Sequence, residues 1–329
     1  MKTYQIVGIG NAVVDVISQS DDSFLAHMGI EKGIMQLIER DRGEVLYGAM
    51  ENRVQTPGGS VANTIAGAGA LGLDAAFIGR VHDDALGHFY ADAMNEDGVD
   101  FVNPPVAGGE LPTSRSMIFV SPDGERSMNT YLGISSELSS ADVPNEVAGS
   151  AQIMFLEGYL FDKDKGKSAF MEAARDCRKG GGKSGIAISD PFCVERHRAD
   201  FLSLIENDLD FVIGNEDEIK SLFETDDLEV GLAKTSAICP LVVCTRSGDG
   251  VTVIGNGTRI DVPVTKVVPV DATGAGDQFA AGFLFGLAKG CDLETCAKIG
   301  NICAAEVISH IGPRPEVNMQ DLLREAGLL

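Results

Sequence analysis

From about residue 150 the chain alternates short apolar runs with helix-length segments, and this pattern narrows its fold more than any other feature. Ile153–Leu156 reads as a strand, and a helical stretch runs on to Arg178. Gly185–Ser189 is a second strand, and Asp210–Gly214 a third that leads into another helix. Such alternation implies a parallel sheet covered on both faces by helices. At 329 residues, the chain has the length of one large α/β unit carrying a small appendage. The expected fold is α/β, with a mostly parallel central sheet.

The first 150 residues supply the appendage. Gln5–Ile9 is a short apolar strand, and Val13, Val14, Val16 and Ile17 favour an extended chain after it. Gly8 and Gly10 begin like a dinucleotide fingerprint, but position 13 is Val and no helix pattern follows, so that reading is rejected. Residues 18–45 are polar and mixed, an excursion into a small side structure. Pro57-Gly-Gly-Ser60 opens a helix to about Leu71, with Ser60 as its expected cap and Gly72 closing it. Ala75–Ile78 is the next strand, and Asp84–Glu96 a capped helix beside a structural His82. Residues 101–132 return to β patterns around turns at Gly108-Gly109 and 122–125, with Arg115 and Arg126 standing in this acid-rich half. Gly180-Gly-Gly-Lys-Ser184 imitates a phosphate loop, but Cys177 stands where that loop needs glycine. The segment also runs from helix to strand, the wrong order.

A formal charge of −23 argues against nucleic acid or an anionic membrane as partner. Seven cysteines without a C-x-x-C pair suggest neither zinc nor a disulfide framework. Cys296 and Cys303, seven apart on a helix, read as small apolar residues of one face. The chain enters a strand pattern without a leader, and no apolar run reaches membrane-spanning length, so a cytoplasmic location is expected.

The richest chemistry lies in residues 270–287. Gly274 and Gly276 sit among small residues, bracketed by Asp271 and Asp277, and an apolar helix pattern follows. Glycines let backbone approach a ligand, and the N–H groups of a helix start attract anions. A carboxylate in that first turn suits a general base that takes a proton from a hydroxyl beside a phosphate. The alternative is a capped turn, with Asp271 as the cap and Asp277 as an acid favoured by the helix dipole.

This stretch resembles the second signature of the PfkB (ribokinase-like) carbohydrate kinase family, D-T-x-G-A-G-D-x-F, with Ala272 in place of the usual Thr. Gly58-Gly59-Ser60-Val-Ala-Asn63 resembles the first signature, G-G-S-x-x-N. Ordered matches run from Asn11 to Pro315, covering essentially the whole chain. The resemblance implies a ribokinase-like fold with a small β lid: residues 1–15, 46–99 and 131–329 as the core, and 16–45 and 100–130 as the lid. It implies a kinase using ATP and Mg²⁺. Asp277 would be the base, with Gly274, Ala275, Gly276 and Arg126 holding the transferred phosphoryl group. Asn11, Asp15, Gly58, Gly59 and Asn63 would orient the acceptor, Asp15 taking bonds from vicinal hydroxyls. Thr245, Gly248, Gly250, Thr273 and Asn301 would border the nucleotide. Asn215 and Glu218 resemble the N-x-x-E motif, which acts on magnesium through water, although a helix N-terminus explains the acids equally well. Thr265 stands where some relatives carry an acid near a potassium site, so activation by a monovalent cation stays open.

Within the family the run 124–131, Gly158-Tyr159 and Gly312-Pro-Arg-Pro315 are most similar to adenosine kinases. The expected activity is phosphorylation of a nucleoside 5′-hydroxyl, with Leu37, Met128, Thr130 and Tyr159 as candidates for an apolar base slot. The alternatives are a ribokinase- or fructokinase-type sugar kinase, a broad-specificity nucleoside kinase and a non-catalytic sensor. The expected partner is a small-molecule nucleoside or sugar. Oligomeric state stays open between a monomer and a lid-mediated dimer.

Overall fold

Two sheets organise the computed structural model, which describes residues 3–329. The strands, in chain order, are β1 (Tyr4–Ile9), β2 (Val13–Gln19), β3 (Met35–Leu37), β4 (Val54–Gly58), β5 (Ala75–Ile78), β6 (Val99–Phe101) and β7 (Ser114–Val120). They continue with β8 (Arg126–Tyr131), β9 (Ala151–Glu157), β10 (Lys183–Ala187), β11 (Phe211–Asn215), β12 (Leu241–Thr245), β13 (Val251–Gly255) and β14 (Thr258–Val262).

The large sheet has the order β14-β13-β12-β11-β10-β9-β1-β5-β6. It is parallel except where β13 and β14 turn back antiparallel at one edge. Alternate residues of its strands enter two different cores. Ile153, Phe155, Phe211 and Ile213 pack on one face, and Met154, Leu156 and Val212 on the other. Period-2 alternation with both sets apolar is what a doubly covered parallel sheet requires.

The strand order reverses at β1, with β5 and β6 added on one side and β9 to β14 on the other. In open α/β sheets ligands bind where the strand order reverses, beyond the carboxyl ends of the strands. Here that point is the gap between Ile9 and Glu157. Two apolar helices flank it, Ser60–Ala70 and Ala275–Ala288, and they pack against each other. The second also packs on the helix Leu293–Val307. A Cβ at Gly282 would lie 2.7 Å from Cys303 Sγ, and one at Gly286 2.9 Å from Cys296 Sγ. Both cysteines are buried, on the face the sequence assigned them.

The small sheet has the order β3-β8-β7-β2-β4. Its register aligns Thr56, Asp15, Ser116, Thr130 and Leu37 in one row, and Val54, Ile17, Ile118, Met128 and Met35 in another on the same face. The opposite face presents Val14, Val16, Met117 and Phe119, which pack with Leu25 and Leu46 of two covering helices. Arg115 lies on that covered face, ion-paired with Glu44 and 4.6 Å from the Tyr47 ring. Strand β4 falls within residues 46–99, the stretch expected in the core, yet it pairs antiparallel with β2 and belongs to the small sheet. Val99–Phe101 pairs with β5 at the edge of the large one.

Candidate active site

Asp277 stands in the first turn of the helix Ala275–Ala288, on the wall of the crevice at the strand-order reversal. The preceding residue of that helix start, Gly274, has φ 78° and caps the helix without any side-chain bond. A left-handed residue there costs an L side chain about 1–2 kcal/mol, and a Cβ would also meet the Pro313 backbone at 2.7 Å. The Ala275 N–H is held by Ala272 O at 3.3 Å, whereas Gly276, where an added Cβ would meet nothing within 4 Å, lines the cavity beside Asp277.

Two donors from the neighbouring helix fix the Asp277 carboxylate. Ser60 Oγ donates to Oδ1 at 2.7 Å, and Asn63 Nδ2 donates to Oδ2 at 3.1 Å. Ser60 is thus not the cap that its position in the sequence suggested. The N-cap is Gly59, at φ 97°, and the serine hydroxyl is engaged by Asp277. A Cβ on Gly59 would overlap the Asn11 carbonyl oxygen, so only glycine fits. Burial pushes the Asp277 carboxyl up to about 6, while the bonds from Ser60 and Asn63 and the charge of Arg314 pull the other way.

Asp15 lies across the crevice on β2, in the space that a Gly58 side chain would fill. Burial raises its carboxyl to about 7, opposed by Arg126 and Arg314 and reinforced by the nearby Asp277. Two carboxylates and two guanidinium groups therefore share one crevice. Arg126, at the start of β8, pairs with Asp271. Burial alone would raise the Asp271 carboxyl, but bonds from Gly312 N, Thr273 N and the Thr273 hydroxyl, with the charge of Arg126, hold it below its usual range.

Asn11 faces inward. Its side-chain amide donates to Glu157 Oε1 at 2.7 Å and its carbonyl accepts from Ser135 Oγ at 3.0 Å. Glu157, 1% exposed at the end of β9, also takes the Val61 N–H at 3.1 Å. Burial lifts its carboxyl to about 7 against those bonds. Sequence reasoning missed Glu157 and Arg314. An acid closing the apolar run 153–157 could have flagged the first, since charge at the carboxyl end of a parallel strand points to a ligand crevice. Arg314 carried no local signal beyond its two flanking prolines.

A cavity of about 120 Å³ continues the crevice from Asp277 along Ser60, Thr64, Ser189, Gly276, Asn215, Glu218 and Thr245. Asn215 and Glu218 form a reciprocal cap: Asn215 Oδ1 accepts from Glu218 N, while Asn215 N donates to Glu218 Oε2 and Asn215 Nδ2 to Oε1. Burial first, then the charges of Asp190, Asp217 and Asp277, raise Glu218 to about 7 against the Asn215 bond. Among the described residues no three His, Cys, Asp or Glu side chains converge as a metal cluster.

The remaining candidates divide. Leu37, Met128 and Thr130 share the small-sheet face with Asp15, and Thr130 bonds Ser116. Tyr159 lies elsewhere, its hydroxyl donating to Ser189 O at 3.3 Å beside the 120 Å³ cavity. Gly248 and Gly250 form the turn after Thr245, with Gly250 at φ 96°. Thr273 is tied to Asp271, and Asn301 Nδ2 donates to Pro263 O at 3.2 Å. A shallow surface groove of about 550 Å³ along Pro191, Arg198, Lys220 and Glu224 is larger but contains none of these candidates, and its Arg198 pairs with Glu224.

Comparison with known proteins identifies the family. Residues 30–318 match the model described as pfkB family carbohydrate kinase. An adenosine kinase from Sinorhizobium meliloti is 44% identical with a TM-score of 0.92, over 99% of this chain and 100% of that one. A probable sugar kinase from Rhizobium etli is 40% identical with a TM-score of 0.93, each chain covered in full (100%). A fructokinase from Klebsiella pneumoniae is 31% identical over 252 residues, 71% of this chain and 78% of the relative. The chain belongs to the pfkB family of carbohydrate kinases and is a phosphotransferase with an alcohol group, on a nucleoside or a sugar, as acceptor.

Proposed function

We propose that the protein transfers the γ-phosphoryl group of ATP to the 5′-hydroxyl of a nucleoside, adenosine first among them. The observation that carries the chemistry is the Asp277 carboxylate at a helix start that no side chain caps, held by Ser60 and Asn63 and facing the crevice. Its raised pKa, near 6, leaves it ionised at neutral pH yet basic enough to accept a proton. The main-chain N–H groups at 274–276, of which that of Ala275 is held by Ala272 O at 3.3 Å, would receive the charge that develops on the phosphoryl oxygens. Arg126 would leave Asp271 for the phosphoryl group when the small sheet closes as a lid, excluding water that would otherwise hydrolyse ATP.

The family implies ATP, with magnesium. Glu218 is buried among like charges that a divalent cation would relieve, and hard oxygen donors suit magnesium. Both Glu218 oxygens already accept bonds from Asn215, so this pair would hold the ion through its waters. The ion would neutralise charge on the phosphates. Thr245 and the turn at Gly248 and Gly250 would border the nucleotide.

Two features favour a nucleoside. Asp15 can accept both hydroxyls of a vicinal diol, and the row beside it is apolar: Ile17, Ile118, Met128 and Met35, with half-exposed Leu37 next to Thr130. A ribose on Asp15 with its base on that row uses both. The adenosine kinase relative, similar over 99% of the chain, supports the same reading. The fructokinase relative supports a sugar acceptor, for which Ser116 and Thr130 supply hydroxyls on the same face. A turnover panel of nucleosides against ribose and fructose with MgATP separates the two. Adenosine should give the highest kcat/KM, and faster turnover of a free sugar overturns the nucleoside reading.

A further inference from the structure

We propose that residues 312–314 form a strap that holds the general base and its anion-binding turn in register, and that Arg314 is the positioning residue through which it acts. The inference rests on the reading of Asp277 as the base. Contacts from three consecutive residues carry it. Gly312 N–H donates to Asp271 Oδ2 at 3.0 Å, just before the turn. Pro313 O accepts from Gln278 Nε2 at 3.0 Å, just after Asp277, and the same Gln278 nitrogen donates to Asn63 O at 3.1 Å. Arg314 Nε–H donates to Asn63 Oδ1 at 3.4 Å, and its Nη1 pairs with Asp97 at the end of the helix Ala85–Glu96. Prolines on both sides of Arg314 restrict its backbone before any side-chain contact forms.

The chemistry of Asn63 explains why an arginine belongs there. An amide side chain presents an oxygen at one end and an NH₂ at the other, and the two ends look alike in shape. Arginine only donates, so the Asn63 oxygen must turn toward Arg314. The NH₂ is then committed to Asp277 Oδ2. The line Asp97–Arg314–Asn63–Asp277 thus fixes both the direction of the base and the polarity of the bond that steadies it. Asp277 also faces Ser60 on the neighbouring helix, Asp15 on β2, Glu157 at the end of β9, Tyr159 in the turn after it, and Glu218 of the helix Glu216–Leu222. Arg314 is the cation that acts on it against those acids.

The test uses Arg314→Gln, Arg314→Lys, Asp97→Asn and Asp277→Asn in the full chain, with MgATP and adenosine, or fructose if adenosine is not turned over. For Arg314→Gln, kcat should fall about 10- to 100-fold, as for misplacement of a reacting group. KM for MgATP should hold, and the acid limb of kcat/KM should move to higher pH. Arg314→Lys should return the limb toward its original place without full kcat, since an ammonium cannot span Asn63 and Asp97 as a guanidinium fork does. Asp97 is 42% exposed, so Asp97→Asn folds even if Arg314→Gln does not. It should lower kcat in the same direction. Unchanged kcat in both, or a fall in kcat with an unmoved limb, overturns the strap. Turnover surviving in Asp277→Asn sinks the base reading instead, and an inactive Asp277→Asn beside a normal Arg314→Gln sinks the strap alone.

Discussion

Replacing Gly274 and Gly276 one at a time by alanine separates the folding role of the anion turn from its chemical role. At Gly274, φ is 78° and the added Cβ would lie 2.7 Å from both Cα and Cβ of Pro313. The left-handed backbone costs about 1–2 kcal/mol for an L residue, and overpacking against a neighbour typically about 1–3. Gly274→Ala should therefore lose roughly 2–5 kcal/mol of stability, a drop of several degrees in Tm. At Gly276 a Cβ meets nothing within 4 Å, φ is not in the left-handed region, and the residue lines the cavity beside Asp277. Alanine is favoured over glycine in helices by up to about 1 kcal/mol, so Gly276→Ala should keep or slightly raise Tm. Its methyl group, however, would stand over the N–H groups proposed to receive the phosphoryl oxygens. A shift of that order in a reacting group costs about 100-fold in rate. Thermal melts and steady-state turnover on the two variants make the comparison. Full activity in Gly276→Ala would mean that the phosphoryl group does not sit on this turn, and an unchanged Tm in Gly274→Ala would refute the packing argument.

Asp277→Asn should keep its Tm and acceptor affinity while kcat falls by about 10²- to 10⁴-fold, the span of general-base contributions, as a coupled ADP-release assay reads. In the parent enzyme kcat/KM should fall as pH drops through about 6, because the base must be unprotonated and its carboxyl sits there; a pH–rate profile flat to pH 5 contradicts it. Asp15, Glu157 and Glu218 at about 7, with Asp277 at about 6, all lie above their ordinary values when folded. The folded state then binds more protons between roughly pH 4 and 7, so stability from these groups is greatest below about 4 and declines as pH rises to 7. Melts of ligand-free protein should show a higher Tm at pH 6 than at pH 8, a difference that magnesium and ATP should narrow. Gly282→Ala should cost about 1–3 kcal/mol, because its methyl group would press on Cys303 Sγ, Ile299 O and Gly300 Cα between two helices; a Tm equal to the parent's refutes that.

What could be read in advance follows from which contacts are local. The parallel sheet was legible because β9, β10 and β11 are short apolar runs between helices, and burial on both faces leaves its mark on most of their positions. The turn at 274–277 was legible because its chemistry is contiguous. Ser60 was misread because the rule for caps looks three residues ahead, whereas its hydroxyl bonds Asp277, 217 residues away. The membership of β4 was invisible for a similar reason. A five-residue run with Pro57 and Gly58 at its end carries little strand signal, and only pairing with β2 places it in the small sheet. Glu157 and Arg314 act through partners 96 and 251 residues away, and no local pattern encodes such partners.

A net charge of −23 would by itself repel a phosphate, and the geometry removes the conflict. Exposed charges farther apart than about 8–10 Å are largely screened in physiological salt, so the groups within the crevice decide its local field. There, Asp271 holds the negative charge that anchors Arg126, and Asp97 the one that anchors Arg314. Each guanidinium is delivered to the crevice by an acid on its rim. The same acids hold the anion turn, since Asp271 also takes the N–H groups of Thr273 and Gly312. An acidic surface and two guanidinium groups at the crevice are then compatible, because the acids set where the two arginines stand. Neutralising Asp271 would accordingly weaken MgATP binding although it removes a negative charge, the reverse of what net charge alone predicts.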